Sequence, residues 1–279
     1  MPFKSIATIV TDLEIDGAAL AAAIELARRD DAHLDVLCLG IDRTQPGFYY
    51  AGANAMAMQT GLAEAESDAR AIEQSVEEKL GGTDIVWAAR ALAAPSPGLA
   101  QFLAYHMRFA DIAVLSRPYG KNRGHENEAI VESALFDAGI PVMVIPDDGA
   151  LPASFGRGVI AWNESPEALR AVRAALPLLQ GADVVNIAII DPPAHAPNRS
   201  DPGGALSQML SRHGVHAEVS VLAKTLPRVS DVIARHLDDQ KADFLVMGAY
   251  GHSRFRESIL GGATRSMLQQ ASMPVFMVH

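Results

Sequence analysis

Gly248, Gly251 and Gly261 recur near the C-terminal end with the spacing Gly-x2-Gly-x9-Gly, and Gly262, Ala263 and Thr264 follow directly. The preceding run, Phe244-Leu245-Val246-Met247, is short, apolar and rich in branched side chains, which predicts a buried strand. Gly261 and Gly262 stand before a helical pattern that runs to about Ala271. A strand ending in glycine, followed by a glycine pair at a helix start, is suited to receiving a phosphate. Glycine lets the main chain come close to a ligand, and the free N–H groups and positive dipole end of a helix favour an anion. Arg254 and Arg256 in the intervening segment either neutralise phosphate charge or solvate a loop. The competing structural reading assigns the glycines to tight turns and close helix–sheet packing. A single glycine would favour that reading; three in register with Thr264 do not.

The elements that must position this stretch alternate along the whole chain. Strands are predicted at 5–11, 33–40, 85–89, 112–115 and 141–145. Helices are predicted at 17–29, 56–80, 97–109 and 126–138, with Asp16 placed to cap the first. Residues 146–152, Pro-Asp-Asp-Gly-Ala-Leu-Pro, form a turn-rich break and the best linker. The order then restarts. Strands follow at 158–162, 184–190, 216–222, 244–247 and 275–278, and helices from Ser165-Pro166 to about Leu179, at 204–213, at 229–237 and after Gly262.

The restart is a repeat. Ala110-Asp111-Ile112-Ala113-Val114-Leu115 echoes Ala242-Asp243-Phe244-Leu245-Val246-Met247, and Pro141-Val142-Met143-Val144-Ile145 echoes Pro274-Val275-Phe276-Met277-Val278. A period of this length is a duplicated domain. The expected fold class is therefore α/β, two doubly wound five-stranded parallel-sheet domains, at residues 1–147 and 156–279. In such sheets ligands lie beyond the C-terminal strand ends, near the strand-order reversal. Asp12, Ser116, Asn163 and Gly248 all fall there.

At this point the chain resembles a tandem universal stress protein, two domains of that family joined head to tail in the adenine nucleotide alpha hydrolase-like fold. The family signature, Gly-x2-Gly-x9-Gly and a small hydroxyl residue after the fourth strand, is matched closely by residues 242–279. The resemblance implies ATP, with or without Mg, cradled in the later half. Met247 and Gly248 would face the nucleoside and Gly251 would turn the loop near the ribose. Gly261, Gly262 and Ala263 would offer N–H groups to the phosphates, and Thr264 a hydroxyl. Gly262 stands where the family has Ser, Thr or Asn, and Asn163 where it has an aspartate approaching the adenine; the Asn163 amide oxygen can still accept from an amino group. The family's fifth strands pair across a dimer, which implies an internal pseudo-dimer here, with a homodimer as a further option.

The earlier half keeps the framework without the glycines. Ser116 stands opposite Gly248, and Glu128 and Ala129 replace Gly261 and Gly262. A carboxylate at 128 would repel a phosphate, so this half is not expected to bind ATP in the family manner, and Asp12 is read as a helix cap.

Other chemistry finds little footing. Gly156-x-Gly158-x-x-Ala161 precedes a strand instead of following one. Gly251-His252-Ser253-Arg254 lacks the second glycine of a nucleophile elbow. His213 and His216 are separated by Gly214 and lack partners at metal-ligand spacing. No catalytic residue and no metal ligand is assigned; at most a slow ATP hydrolysis is expected. The chain has 279 residues, 49% hydrophobic and 20% charged, with a net charge of -10. That composition fits a globular core and argues against nucleic acid or an acidic membrane surface as partner. One cysteine, Cys38, in a strand-like run reads as a small buried hydrophobe and suits a reducing, cytoplasmic compartment. Two functions of different class remain: a nucleotide-binding stress-response protein, or a structural, partner-binding or small-ligand module whose site is vestigial.

Overall fold

The structure is a computed structural model that describes residues 2–44, 51–152, 154–192, 201–249 and 262–279, with the main chain alone at 51–55 and 57. By contacts the chain divides into two compact units, Phe3–Ile140 and Pro141–His279.

The earlier unit runs β1 (Ser5–Val10), α1 (Leu13–Asp30), β2 (His33–Asp42), α2 (Ala51–Leu80), β3 (Val86–Pro95), α3 (Leu99–Met107), β4 (Ile112–Ser116) and α4 (His125–Glu132), the last continuing as a π-helical turn over Ser133–Asp137. Four parallel strands lie in the order β3-β2-β1-β4. The sheet is parallel because each strand is followed by a helix that returns the chain to the same edge. Its core side chains, Ile6, Leu34, Leu37 and Ile112 among them, are fully buried, each contributing about 1.5–3 kcal/mol relative to exposure. α2 lies so close to β2 that the Ala65 carbonyl stands where a Cβ on Gly40 would be.

Two expectations are corrected here. The cap of α1 is Asp12, whose carboxylate accepts from Glu14 N at 2.8 Å, not Asp16, which falls inside the first turn. β3 is twice its predicted length. Its second half, Arg90 to Pro95, carries alanines of little strand preference, yet it pairs in register with β2 as far as Asp42↔Pro95. Tertiary pairing overrides local propensity there.

The later unit runs β5 (Val142–Ile145), β6 (Arg157–Ala161), α5 (Pro166–Ala174), α6 (Leu176–Leu179), β7 (Val184–Ile190), α7 (Gly204–Arg212), β8 (Ala217–Leu222), α8 (Val229–Gln240), β9 (Phe244–Gly248), α9 (Ala263–Gln270) and β10 (Val275–Val278). Its strands lie in the order β5-β10-β9-β6-β7-β8. The expected five parallel strands are β8, β7, β6, β9 and β10; β5 adds a sixth, antiparallel to β10, with Val144 opposite Val275 and Val142 opposite Met277. All residues of both strands are buried, so neither apolar strand presents a bare edge at this ladder. The single helix predicted to Leu179 is two, because Pro177 has no N–H to continue the first.

Leaving β5 and β10 aside, the strand order of the later unit repeats that of the earlier one. In each the order reverses at one place, between β1 and β4 and between β6 and β9. A crevice opens beyond the C-terminal ends of such a strand pair. Among the described residues, no helix is long and apolar enough to cross a membrane.

Candidate functional site

Asn163 lies two residues past β6 and Gly248 is the last residue of β9. The two strands are neighbours, with Ala161 in register with Met247. The fold thus brings both predicted residues to the later unit's reversal point. Gly251 and Gly261, and with them Arg254 and Arg256, lie outside the described residues.

Gly248 has a reason to be glycine before any ligand is considered. A Cβ there would come 2.6 Å from Ala168 N and 2.9 Å from Glu167 C, because the first turn of α5 is packed on it. Met247 is 5% exposed, so its side chain belongs to the core and what it can offer a ligand is main chain.

The turn from β6 into α5 is built locally. Ser165 caps the helix, its hydroxyl accepting from Ala168 N at 3.1 Å, and Pro166 takes the first helical position. Glu164 adopts a left-handed φ of 62°. The exposed Asn163 closes the turn, its Oδ1 accepting from Ser165 N at 3.2 Å. The oxygen expected to meet a base therefore already holds a main-chain partner.

In the later unit α9 starts at Ala263 with Gly262 as its cap. Gly262 is extended (φ -53°, ψ 153°) and supplies no side chain, while its carbonyl accepts from Ser266 N at 3.2 Å. Main-chain N–H groups at a helix start are of the kind that receives an anion. Thr264, expected to add a hydroxyl, is 3% exposed and shares the buried side of α9 with Met267 and Leu268.

Sequence reasoning gave His279 no role, yet its Nδ1 lies 3.0 Å from the Ala249 carbonyl, and Ala249 N donates to Val278 O at 2.8 Å. The residue after β9 is thereby fastened to the end of β10. A buried relay was also missed. His236 Nε2 meets Asn186 Oδ1 at 2.8 Å, and Asn186 Nδ2 donates to Ser220 Oγ at 2.9 Å, tying α8 to β7 and β8. Burial holds the His236 imidazole below its ordinary pKa. The only sequence signal was one asparagine inside the apolar run Val184–Ile190.

The matching place in the earlier unit is furnished differently. Asp12 is the cap expected of it. Glu128 lies inside α4, which starts 16 residues before Pro141, whereas α9 starts 11 before Pro274. Helix therefore extends five residues further into this region of the repeat. The first-turn carboxylate that is engaged is Glu126, which accepts from Arg43 Nε at 2.7 Å; that bond chiefly holds its pKa below the usual carboxylate range. Among the described residues, no group of three His, Cys, Asp or Glu side chains is placed to hold a metal ion.

Comparison with known proteins agrees with this architecture. Residues 155–279 match the model of the universal stress protein family. Universal stress protein Slr1230 of Synechocystis sp. is 35% identical over 72 residues, 26% of this chain and 24% of that protein. The matched segment thus covers about a quarter of that relative. The crystal structure of a universal stress protein from Archaeoglobus fulgidus is similar over 98% of this chain and 95% of its own, with a TM-score of 0.67 at 15% identity. A functionally unknown protein from Pseudomonas aeruginosa PAO1 is similar over 99% of this chain and 92% of its own, with a TM-score of 0.59 at 14% identity. At these identities the two structures speak to fold alone. Residues 155–279 are thus similar to the universal stress protein family, and the fold similarity to the Archaeoglobus protein runs through nearly all of the chain.

Proposed function

We propose that residues 156–279 bind an adenine nucleotide, ATP being the ligand the family resemblance implies, with or without Mg. The base would lie toward Asn163, the nucleoside against the main chain of Met247 and Gly248, and the phosphates at the start of α9 with Gly251, Gly261, Gly262 and Ala263. The protein would act in the stress response as a cytoplasmic binding protein, not a catalyst, by changing shape or partners. The observation that carries the reading is the glycine stretch from Gly248 to Gly262, which lies within the residues that match the family model. The antiparallel ladder between β5 and β10, the last strands of the two sequence repeats, supports an internal pseudo-dimer.

A second reading is favoured by Gly248 and Thr264, each of which has a packing role without any ligand. In that reading the crevice is vestigial and the protein is a structural or partner-binding module. A thermal melt with increasing ATP separates them. Binding to the folded state raises stability by about 2.7 kcal/mol at a hundredfold excess over Kd. A saturable upward shift that is lost in Gly261→Glu supports the nucleotide reading, and a flat trace overturns it.

A further inference from the structure

β3 and β8 are outermost strands, each paired on one side among the described residues. Such a strand turns every second main-chain N–H and C=O outward, and a bare apolar edge recruits another strand. The edge of the earlier unit is guarded. The Ala91 N–H of β3 is taken by Glu73 Oε1 at 2.8 Å, a side chain of α2, and the strand carries Arg90 and ends in Pro95. Charge, proline and a covering side chain are the usual means of blocking strand addition.

β8, Ala-Glu-Val-Ser-Val-Leu, holds no Lys, Arg or Pro. Val185 N donates to His216 O and Asp191 N to Leu222 O. By the alternation of the ladder the even-numbered residues of β8 face β7, and Ala217, Val219 and Val221 turn their main-chain groups outward. Val219 and Val221 are also 40% and 53% exposed. Among the described residues no side chain takes either N–H, so β8 has no counterpart of Glu73.

This edge is complementary to itself. In an antiparallel pair about a two-fold axis at Ser220, Val219 lies opposite Val221 of the other copy, and Val221 opposite Val219. Each such pair of outward-facing residues exchanges two main-chain hydrogen bonds, and the valine side chains meet on one face. Glu218, the one charge on the strand, falls diagonal to the exposed Lys224 of the other copy, within reach of a long side chain.

We propose that β8 is a self-association edge through which two copies of this chain join, β8 against β8, in a closed two-fold dimer. The pairing leaves the β5–β10 ladder intact and does not depend on nucleotide. The interface is small, so the dimer forms reversibly at high protein concentration.

Sedimentation equilibrium of the full chain across a wide concentration range, with amide exchange followed residue by residue, tests the proposal. A monomer–dimer equilibrium is expected, in which the Val219 and Val221 amides exchange about tenfold more slowly at concentrations where the dimer predominates, while those of β3 do not change. Val221→Lys puts a charge on the edge, and Val221→Pro removes an outward N–H without touching the ladder to β7. Each should weaken the dimer by about tenfold or more and leave the melting temperature of the dilute protein unchanged. Val86→Lys, at a valine of β3 that is 66% exposed, should leave the dimer as it was. A chain that stays monomeric throughout the range overturns the proposal. So does a dimer in which the Val219 and Val221 amides gain no protection, or one that survives both Val221 substitutions.

Discussion

Ser116 donates its hydroxyl to Asp16 Oδ1 at 2.7 Å, joining the end of β4 to the first turn of α1. Asp16 is 4% exposed. Its Oδ2 accepts from Thr11 N at 2.8 Å, Thr11 Oγ1 at 2.9 Å and Asp12 N at 3.3 Å. Counted from Asp12 and Asn163, the equivalent of Asp16 is Glu167, which pairs instead with Arg170 at 2.8 Å, and the equivalent of Ser116 is Gly248. The earlier unit has closed its strand-end crevice around a buried carboxylate. The later unit has a bare glycine there, with the first turn of α5 against it.

Asp16→Ala therefore leaves four donors without their acceptor. Unmet buried donors cost about 1–3 kcal/mol each before relaxation and rehydration, so a loss of at least about 3 kcal/mol is expected in urea denaturation. Ser116→Ala, which removes one hydroxyl shared between Asp16 Oδ1 and, at 3.4 Å, the Ile15 carbonyl, should cost about 1 kcal/mol. A loss below about 0.5 kcal/mol for Asp16→Ala would remove the carboxylate from its central place in this unit.

Gly248→Ala tests packing separately from ligand binding. The added methyl must push back the α5 main chain at Ala168, an overpacking cost of about 1–3 kcal/mol. The midpoint should fall with no nucleotide present. An unchanged midpoint would mean that α5 yields freely, and would return Gly248 to a purely ligand-facing role.

The Cys38 thiol is fully buried on β2, and burial pushes its pKa up to about 12. Almost no thiolate exists at pH 8, so a thiol reagent should leave the native protein unmodified and react fully once it is unfolded. Rapid native labelling would contradict the packing of β2.

His236 gives a pH dependence with a definite sign. Its folded pKa is lowered by burial, so the unfolded chain binds the proton more readily. The stabilising contribution is full above the unfolded value of about 6.5 and is lost as pH falls through that value toward the folded pKa. Melting temperature should drop between pH 7 and 5, and less steeply in His236→Gln. His106 is lowered in the same direction, chiefly by burial and then by Arg90, so part of the slope should remain. A slope identical in the variant would exclude His236 as a contributor.

What the sequence made legible follows from the strength of local signals. Val184–Ile190 and Val275–Val278 appear with their predicted bounds because they are continuous branched apolar runs. The duplication was visible in the paired Ala-Asp and Pro-Val segments, and the strand order repeats accordingly. Asp16 was misread as a cap because Asp12 and Asp16 are both good capping residues; only the fold shows which meets the helix start and which is buried by Ser116. The antiparallel seating of β5 on β10 has no local signature. In the candidate site, spacing put Asn163 and Gly248 at the strand ends. It could not reveal that α5 fills the space beside Gly248, or that Ser165 already holds the Asn163 oxygen.

A single nucleotide site in the later repeat has a fixed stoichiometry, which calorimetry on the full chain reads. One ATP per chain is expected in the wild type and none in Gly261→Glu, with Ser116→Ala still binding one. Two per chain, or one that survives Gly261→Glu, would contradict it.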